Sequence, residues 1–299
     1  MIYDCFLFND ELDLLQLRLD YLSPIVDKFV LIESEFSFSG NIKPLHYHLN
    51  KKRFSQFSEK IIYDYIPYHH CKKDSAWENE YFQRSFIKTK LSDLGDNDIV
   101  HITDVDEIPN LSLILKKYII DKPYLIELPV YNYFFNLRAK AKFRVNLIAP
   151  YGYIKGYDIG NRENFKYLTE NHINITDMNT GWHFSYLFGY NLQQYQNKLQ
   201  SFSHQEFNTA YFLDPERINS LLHLRADILE RNSVFKIVDT KKELTPELIH
   251  SLIKTGLYEK LQYKKPGLTF YLNFYHLKYF IKFSLKPRIK LKLKKWLPS

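Results

Sequence analysis

The sequence predicts an α/β fold in which helices flank a mostly parallel sheet. Apolar strand-like runs and amphipathic segments alternate four times within residues 1–110, which is the pattern of a parallel sheet. The chain has 299 residues and is 45% hydrophobic and 17% aromatic, so it has the material for a sizeable core and is not generally disordered. We expect a folded domain over residues 1–259 and a basic extension over residues 260–299.

The first β-α-β unit is predicted within the opening residues. Residues 2–8 are apolar nearly throughout, as a central parallel strand is. Leucines then recur at helical spacing up to Pro24, and residues 29–32 form the second strand. This arrangement is typical of nucleotide-binding domains, although no Gly-x-Gly-x-x-Gly follows the first strand, so a dinucleotide fingerprint is absent.

The fourth strand leads into an acidic cluster. A third strand is predicted at residues 61–66, a helix at 75–91 and a fourth strand at 98–103. Three carboxylates follow directly, and Pro109 ends the strand pattern. They are Asp104, Asp106 and Glu107.

The spacing of this cluster permits two interpretations. In open α/β sheets ligands bind at the carboxyl ends of the strands. Two aspartates separated by one residue, Asp104 and Asp106, can both reach one hard cation, which is often shared with substrate phosphates. Alternatively, Asp106 or Asn110 caps a helix that begins near Leu111, where the helix dipole favours acidic residues.

The second half of the domain has weaker patterns. We expect helices, strand-like runs and one long irregular stretch, at residues 111–120, 124–135, 142–150, 151–180, 181–186, 191–202, 215–231 and 245–259. The irregular stretch at 151–180 is long for a structureless loop, and long loops in compact domains tend to be functional.

Cysteine usage and hydropathy bear on the compartment. Cys5 and Cys71 form neither a disulfide framework nor a zinc site, which favours a reducing compartment. The chain has no apolar run of about 18 residues, the length that a spanning helix needs. The N-terminal residues lack the basic region of a signal peptide. We therefore expect a cytoplasmic protein.

The basic charge is confined to the C-terminal extension. Residues 260–299 contain eleven Lys/Arg and no Asp/Glu, whereas the preceding residues contain 34 Asp/Glu against 30 Lys/Arg. Bulky apolar and basic residues alternate up to Trp296, a pattern typical of segments that lie on anionic membranes. We expect residues 272–299 to bind such a surface peripherally. A solvated terminus is the alternative, and nucleic acid is the least favoured partner.

Several motifs occur in the order seen in one enzyme family. They are residues 2–15, Glu33-Ser34, Phe38-Ser39-Gly40, Lys43-Pro44-Leu45, Trp77-Glu78, Gln83-Arg84, residues 103–109 and residues 181–186. Over roughly residues 1–235 the chain resembles glycosyltransferase family 17, whose best-known members are β-1,4-mannosyl-glycoprotein 4-β-N-acetylglucosaminyltransferases.

The resemblance implies a GT-A-like, Rossmann-type fold with a nucleotide-binding half at residues 1–110 and an acceptor half at 111–259. It implies inverting transfer of a sugar, N-acetylglucosamine by preference, from a UDP-sugar to a glycan or glycolipid acceptor. It also implies that Asp104-Val105-Asp106 is the Asp-x-Asp metal motif for Mn²⁺ or Mg²⁺. His183 is a candidate third ligand, and an imidazole ligand favours Mn²⁺.

Further residues are assigned roles on this basis. The candidates for nucleotide-sugar binding, besides Asp104, are Asp4, Asn9 and Glu33 at strand ends, Arg84 for the diphosphate and Trp182 for stacking on a sugar. For Arg84 an ion pair with Glu80 is the alternative, and for Trp182 core packing is the simpler alternative.

Inversion requires a base for the acceptor hydroxyl. The candidates are Glu206, which we favour, Asp158, Asp227 and Glu163; for Glu206 a surface carboxylate without a catalytic role is the alternative.

Two other functions compete with this hypothesis. A non-catalytic glycan- or membrane-binding protein could keep the same fold. A metal phosphoesterase could use the same acidic cluster, but the chain lacks a second His/Asp cluster at metal-ligand spacing.

Overall fold

The computed structural model describes residues 1–72, 75–168, 174–175, 180–231, 235–265 and 279, and its centre is one sheet of ten strands. The strands are β1 (Ile2–Leu7), β2 (Lys28–Ser34), β3 (Ile61–Ile66), β4 (Ile99–Asp104), β5 (Glu107–Pro109), β6 (Tyr124–Asn132), β7 (Leu137–Pro150), β8 (Asn174–Ile175), β9 (Gly181–Ser185) and β10 (Lys236–Ile237).

Twelve α-helical segments and several 3-10 turns are found within the described ranges. The helices are α1 (Leu12–Leu22), α2 (His46–Leu49), α3 (Ala76–Phe86), α4 (Leu111–Lys117), α5 (Tyr151–Ile154), α6 (Phe165–Leu168), α7 (Leu192–Ser201), α8 (Ala210–Leu213), α9 (Pro215–Leu224), α10 (Thr240–Glu243), α11 (Pro246–Lys254) and α12 (Leu257–Lys260). The 3-10 segments include Lys51–Lys60, Tyr68–His70, Ile87–Lys90, Arg162–Asn164 and Gln205–Phe207.

The parallel part of the sheet has the strand order β3-β2-β1-β4. Cys5 in β1 lies beside Val30 of β2 and Ile102 of β4. The predicted α/β fold with a mostly parallel sheet is therefore confirmed, and the four strands expected in the first 110 residues all form. Their carboxyl ends meet at one edge, where parallel sheets place ligands.

The second half of the chain extends the same sheet. Strand β7 pairs antiparallel with β4 and begins at Leu137, five residues before the predicted strand. Strands β6 and β9 pair in parallel, and β9 pairs antiparallel with the short β5. This last pairing places His183 directly opposite Glu107. Residues far apart in sequence thus meet just beyond the end of β4.

Apolar residues cover both faces of the sheet. Phe6 packs in a cluster on one face with Leu15 of α1, while Cys5 and Leu7 pack on the other face with Ile102. This alternation follows the pleat of β1 and explains why the strand is apolar throughout. Cys5 is buried and is a free thiol, as is Cys71.

The basic extension lies largely outside the described residues. Of the predicted membrane-surface segment 272–299, only residue 279 is described. No helix in the described ranges has the length and apolar character that crossing a membrane requires.

Candidate active site

A pocket opens at the carboxyl ends of β1 and β4. Its apolar wall is formed by Leu7, Phe8, Phe38, Val105 and Phe202. Its charged wall is formed by Glu11, Asp104, Asp106 and Lys198. A mostly apolar surface with a few convergent charged groups is the usual character of a small-molecule site. The pocket lies where the sequence predicted a ligand, at the acidic end of β4.

Asp104 is held by two arginines. Nη1 of Arg84, in α3, donates to Oδ1 at 2.6 Å, and Nη1 of Arg162 donates to Oδ2 at 2.6 Å. Burial would raise the pKa of the Asp104 carboxyl, but Arg162 and Arg84 hold this pKa far below its usual range. Asp104 is therefore ionised throughout the physiological range, and both of its oxygens are already engaged.

Glu107 fixes the turn that carries the acidic cluster. Its Oε2 accepts hydrogen bonds from Thr103 Oγ1 at 2.7 Å, from the Asp104 amide at 2.9 Å and from Arg162 Nη2 at 2.6 Å. The side chain is almost fully buried. Three donors on one carboxylate oxygen hold the turn in a single arrangement.

Three groups just past β4 are close enough to hold one metal ion. Asp106, Glu107 and His183 offer ligand atoms within 4.8 Å of one another. His183 Nε2 lies 3.6 Å from Asp106 Oδ2, and the buried Nδ1 of this ring has no hydrogen-bond partner among the described residues. Two carboxylates and an imidazole fit Mn²⁺ better than Mg²⁺.

This group differs by one residue from the ligands expected from the sequence, which were Asp104, Asp106 and His183. The structure brings Asp106 and His183 together as expected, but the third group is Glu107. Asp104 lies outside this group, and arginine side chains contact both of its carboxylate oxygens.

Lys198 is a pocket residue that the sequence did not single out. It reaches the pocket from α7, and its Nζ lies 2.9 Å from Glu11 Oε1. Burial would lower the pKa of Lys198, but the carboxylates of Glu11 and Asp106 raise it above its usual value. Lys198 therefore keeps a positive charge in the pocket. Its helix was predicted, but no local pattern relates it to a glutamate 187 residues away.

Two of the residues predicted to bind the nucleotide sugar do lie at the site. Asn9 lines the pocket and a polar groove that continues from it, and Arg84 contacts Asp104. The alternative for Arg84 is also realised, because its Nη2 pairs with Glu80 Oε1 at 3.1 Å. Arg84 is 1% exposed, so it forms the floor beneath the acidic residues.

The expectation that Asp4 contacts the nucleotide is corrected. Asp4 has no accessible surface, and its carboxylate is bound by Arg18 at 2.6 and 2.8 Å and by His101 Nδ1 at 2.8 Å. It lies in the middle of β1 rather than at its end. Its role is therefore structural.

Glu33 and Trp182 are likewise internal. The Glu33 carboxylate accepts hydrogen bonds from the amides of Tyr47 and His48, where it anchors the start of α2. Trp182 is fully buried, packs edge-on against Tyr21 and donates from Nε1 to a backbone carbonyl. Neither side chain has a surface on which a ligand could rest, so the assignment of Glu33 is corrected, and for Trp182 the alternative of core packing is the one observed.

The carboxylates expected to act as the base are not among the residues that line the pocket. Glu206 is exposed and pairs with His204 at 2.8 Å, in agreement with the alternative of a surface carboxylate. Asp158 and Glu163 are also exposed. Asp227 is buried beneath Arg231, whose Nε lies 2.8 Å from it. None of these four carboxylates is among the residues that line the pocket, which no sequence pattern reveals.

The fold and the site define an α/β protein with a charged ligand pocket at the carboxyl ends of its parallel strands. A family model, Glycosyltransferase family 17, matches residues 1–241. This match covers most of the sequence, and the chain belongs to glycosyltransferase family 17.

Individual relatives match a shorter stretch. The human and rat proteins named beta-1,4-mannosyl-glycoprotein 4-beta-N-acetylglucosaminyltransferase are each 31% identical over 108 residues, which is 34% of this chain and 20% of theirs. The match thus spans about a fifth of the length of these relatives. Among solved structures, HddC from Yersinia pseudotuberculosis aligns over 61% of this chain and 88% of its own, with 8% identity and a TM-score of 0.30.

Proposed function

We propose that this protein transfers a sugar, N-acetylglucosamine by preference, from a UDP-sugar to a hydroxyl of a glycan or glycolipid, with inversion at the anomeric carbon. The observation that carries the proposal is the pocket lined by Asp104, Asp106 and Lys198, in which Asp104 is paired with Arg84 and Arg162. Membership of glycosyltransferase family 17 supports the same reaction class.

The pocket has the two surfaces that a nucleotide diphosphate requires. Phe8, Phe38 and Phe202 supply apolar surface for the base. Arg84, Arg162 and Lys198 place positive charge around the acidic turn, where the diphosphate would lie. Guanidinium groups bind phosphate oxygens in a bidentate manner, which fixes orientation as well as charge.

Asp106, Glu107 and His183 would hold a divalent cation, Mn²⁺ by preference. When bound there, the ion would neutralise negative charge on the UDP leaving group as a Lewis acid. The buried Nδ1 of His183, which lacks a partner among the described residues, fits such a role. Arg18 and Thr103 support the turn that carries the two carboxylates.

Glu11 is the carboxylate that we propose as the base for the acceptor hydroxyl. It lines the pocket, whereas Glu206, Asp158 and Asp227 do not. Asp106, the other pocket carboxylate besides the doubly paired Asp104, belongs to the metal cluster. Glu11→Gln should keep UDP binding and lower transfer by about 100-fold or more, the usual contribution of a general base. Transfer at the wild-type rate would exclude this role.

The rim of the pocket offers surface for a sugar acceptor. Phe202 lines the pocket and contacts the ring of His204, with 5.6 Å between centroids. His204 meets the edge of Trp77, whose side chain is 55% exposed. We propose that an acceptor sugar approaches over these rings, since an exposed aromatic face suits the apolar face of a pyranose.

The experiment that tests the proposed function measures UDP released from UDP-N-acetylglucosamine in the presence of Mn²⁺ and a panel of glycan acceptors. The double variant Asp104→Ala/Asp106→Ala should release no UDP above background. The matched control is Asp93→Ala/Asp96→Ala, which removes two exposed aspartates from the loop before β4 and should retain activity.

Equal turnover by the two double variants would refute the assignment. Calorimetry with UDP and Mn²⁺ distinguishes the proposed enzyme from the main alternative. If the wild-type protein does not bind UDP, a non-catalytic glycan- or membrane-binding protein is favoured.

A further inference from the structure

We infer that Arg162 is an exchangeable cation of this pocket: it pairs with Asp104 and Glu107 in the free protein and moves to the donor diphosphate when a divalent cation enters. The inference rests on the proposed function and extends it to how the site is filled.

The guanidinium of Arg162 bridges two carboxylates of the acidic turn. Nη1 donates to Asp104 Oδ2 and Nη2 donates to Glu107 Oε2, each at 2.6 Å. The same guanidinium lies over the ring of Phe143, 5.3 Å from its centroid. Arg162 thus supplies positive charge to both carboxylates in the free protein, and Arg84 adds a second guanidinium at Asp104.

Arg162 and a metal ion would share one ligand. Glu107 accepts a hydrogen bond from Arg162 and also belongs to the cluster of Asp106, Glu107 and His183. A divalent cation in that cluster would lie beside the guanidinium, and like charges at such a distance repel by several kcal/mol in a partly buried site. Metal binding therefore weakens the contact between Arg162 and Glu107.

The donor diphosphate offers the released guanidinium a new partner. Arg84 remains at Asp104, where it is 1% exposed and also tied to Glu80. Arg162 is the more accessible of the two, since its side chain is 10% exposed against 1% for Arg84. Of the two arginines, Arg162 is therefore the one that can exchange a carboxylate for a phosphate.

Removal of the Arg162 guanidinium should strengthen the binding of metal to the free protein. Arg162→Met removes a competing cation, so the metal-free protein should bind Mn²⁺ with a Kd at least about tenfold lower than the wild type. Titration by electron paramagnetic resonance without nucleotide measures this directly. With Mn²⁺ saturating, the same variant should bind UDP about tenfold or more weakly, because the diphosphate loses a bidentate partner.

Two further variants complete the test. Lys166→Met is the matched control: it removes one positive charge four residues along the chain, but Lys166 pairs with the exposed Glu163 at 3.7 Å. Its affinities for Mn²⁺ and UDP should equal those of the wild type. Arg162→Lys keeps the positive charge but loses the bidentate guanidinium. This variant should therefore bind Mn²⁺ about as the wild type does and bind UDP more weakly.

The inference is overturned if Arg162→Met binds Mn²⁺ as the wild type does, or more weakly, in protein that circular dichroism shows to be folded. Mn²⁺ binding that is detected in Arg162→Met but not in the wild type would give the inference its strongest support. If neither the wild type nor Arg162→Met binds Mn²⁺, the inference is overturned. These readouts need no sugar transfer, so a failed UDP-release assay refutes the proposed function without deciding the role of Arg162.

Discussion

Arg18 donates a hydrogen bond of 2.7 Å from Nη1 to the backbone carbonyl of Glu107. The same nitrogen lies 3.2 and 3.3 Å from the carbonyl oxygens of Asp104 and Val105. The other two nitrogens of the guanidinium, Nε and Nη2, donate hydrogen bonds to the Asp4 carboxylate. One buried side chain in α1 therefore joins the first strand to the turn that presents the candidate metal ligands.

Arg18→Met should lower the free energy of unfolding by about 3–5 kcal/mol, because it leaves the Asp4 carboxylate buried without its main partner. Urea unfolding followed by circular dichroism measures the loss. Arg53→Met is the control, since Arg53 pairs with Asp13 at the surface and exposed pairs contribute at most about 1 kcal/mol. Equal losses in the two variants would contradict the structural role of Arg18.

His101 should make stability depend on pH. Burial lowers its pKa in the folded protein, although the hydrogen bond to Asp4 opposes the change, and its buried Nε2 has no partner among the described residues. The unfolded chain takes up the proton near pH 6.5 and the folded protein only at lower pH. The stabilising contribution is therefore complete above about pH 6.5 and is lost as pH falls towards the lowered pKa.

Urea unfolding at a series of pH values between about 5 and 7.5 tests this linkage. The free energy of unfolding should decrease on acidification, and His101→Gln should remove part of that slope. A slope that is identical in the variant would show that other groups cause it.

Gly181→Ala should disrupt the pairing of β5 with β9. Gly181 has φ +148°, and a Cβ built there would lie 2.4 Å from the carbonyl oxygen of Ile108. The strain should cost about 1–3 kcal/mol and should displace His183, two residues further along the strand. Gly156→Ala is the control, since among the described residues, apart from its chain neighbours, no heavy atom lies within 4 Å of the added Cβ. Mn²⁺ affinity and thermal unfolding measure the difference, and unchanged values for Gly181→Ala would refute the prediction.

Deletion of residues 272–299 should release the protein from anionic vesicles and leave UDP binding intact. The physical reason is the run of alternating basic and apolar residues that ends near Trp296. Co-sedimentation with phosphatidylserine vesicles measures binding, with neutral phosphatidylcholine vesicles as the control. Unchanged sedimentation of the truncated protein would refute a peripheral membrane role for this segment.

The elements of the fold were largely readable from local patterns. Helix α3 begins where a capping pattern is present: Ser75 accepts from the Glu78 amide at 3.2 Å, and the acidic turn follows β4 as predicted. The helix-capping alternative also proved correct in part, because the Asn110 side chain caps α4. Asp106, the other candidate cap, instead lies in the cluster with Glu107 and His183.

Contacts between residues that are far apart in sequence could not be predicted from local patterns. Asp4 and Trp182 look like ligand contacts in sequence because they occur in motifs near strand ends, yet both are internal. Arg162 and Lys198 lie in stretches without a distinctive pattern, yet both reach the pocket or its acidic turn. Motif position identifies the neighbourhood of a site, whereas burial determines which side chains can touch a ligand.

The sequence by itself determined the α/β class, the presence of the first four strands and the position of the acidic turn, because hydrophobic periodicity and turn residues act over a few neighbouring positions. Only the tertiary structure decided that Asp104 pairs with arginines 20 and 58 residues away and that Glu107, opposite His183 in the β5–β9 pair, joins the candidate metal cluster. Such contacts depend on strand order and register, which are set by the packing of the whole sheet rather than by any local stretch.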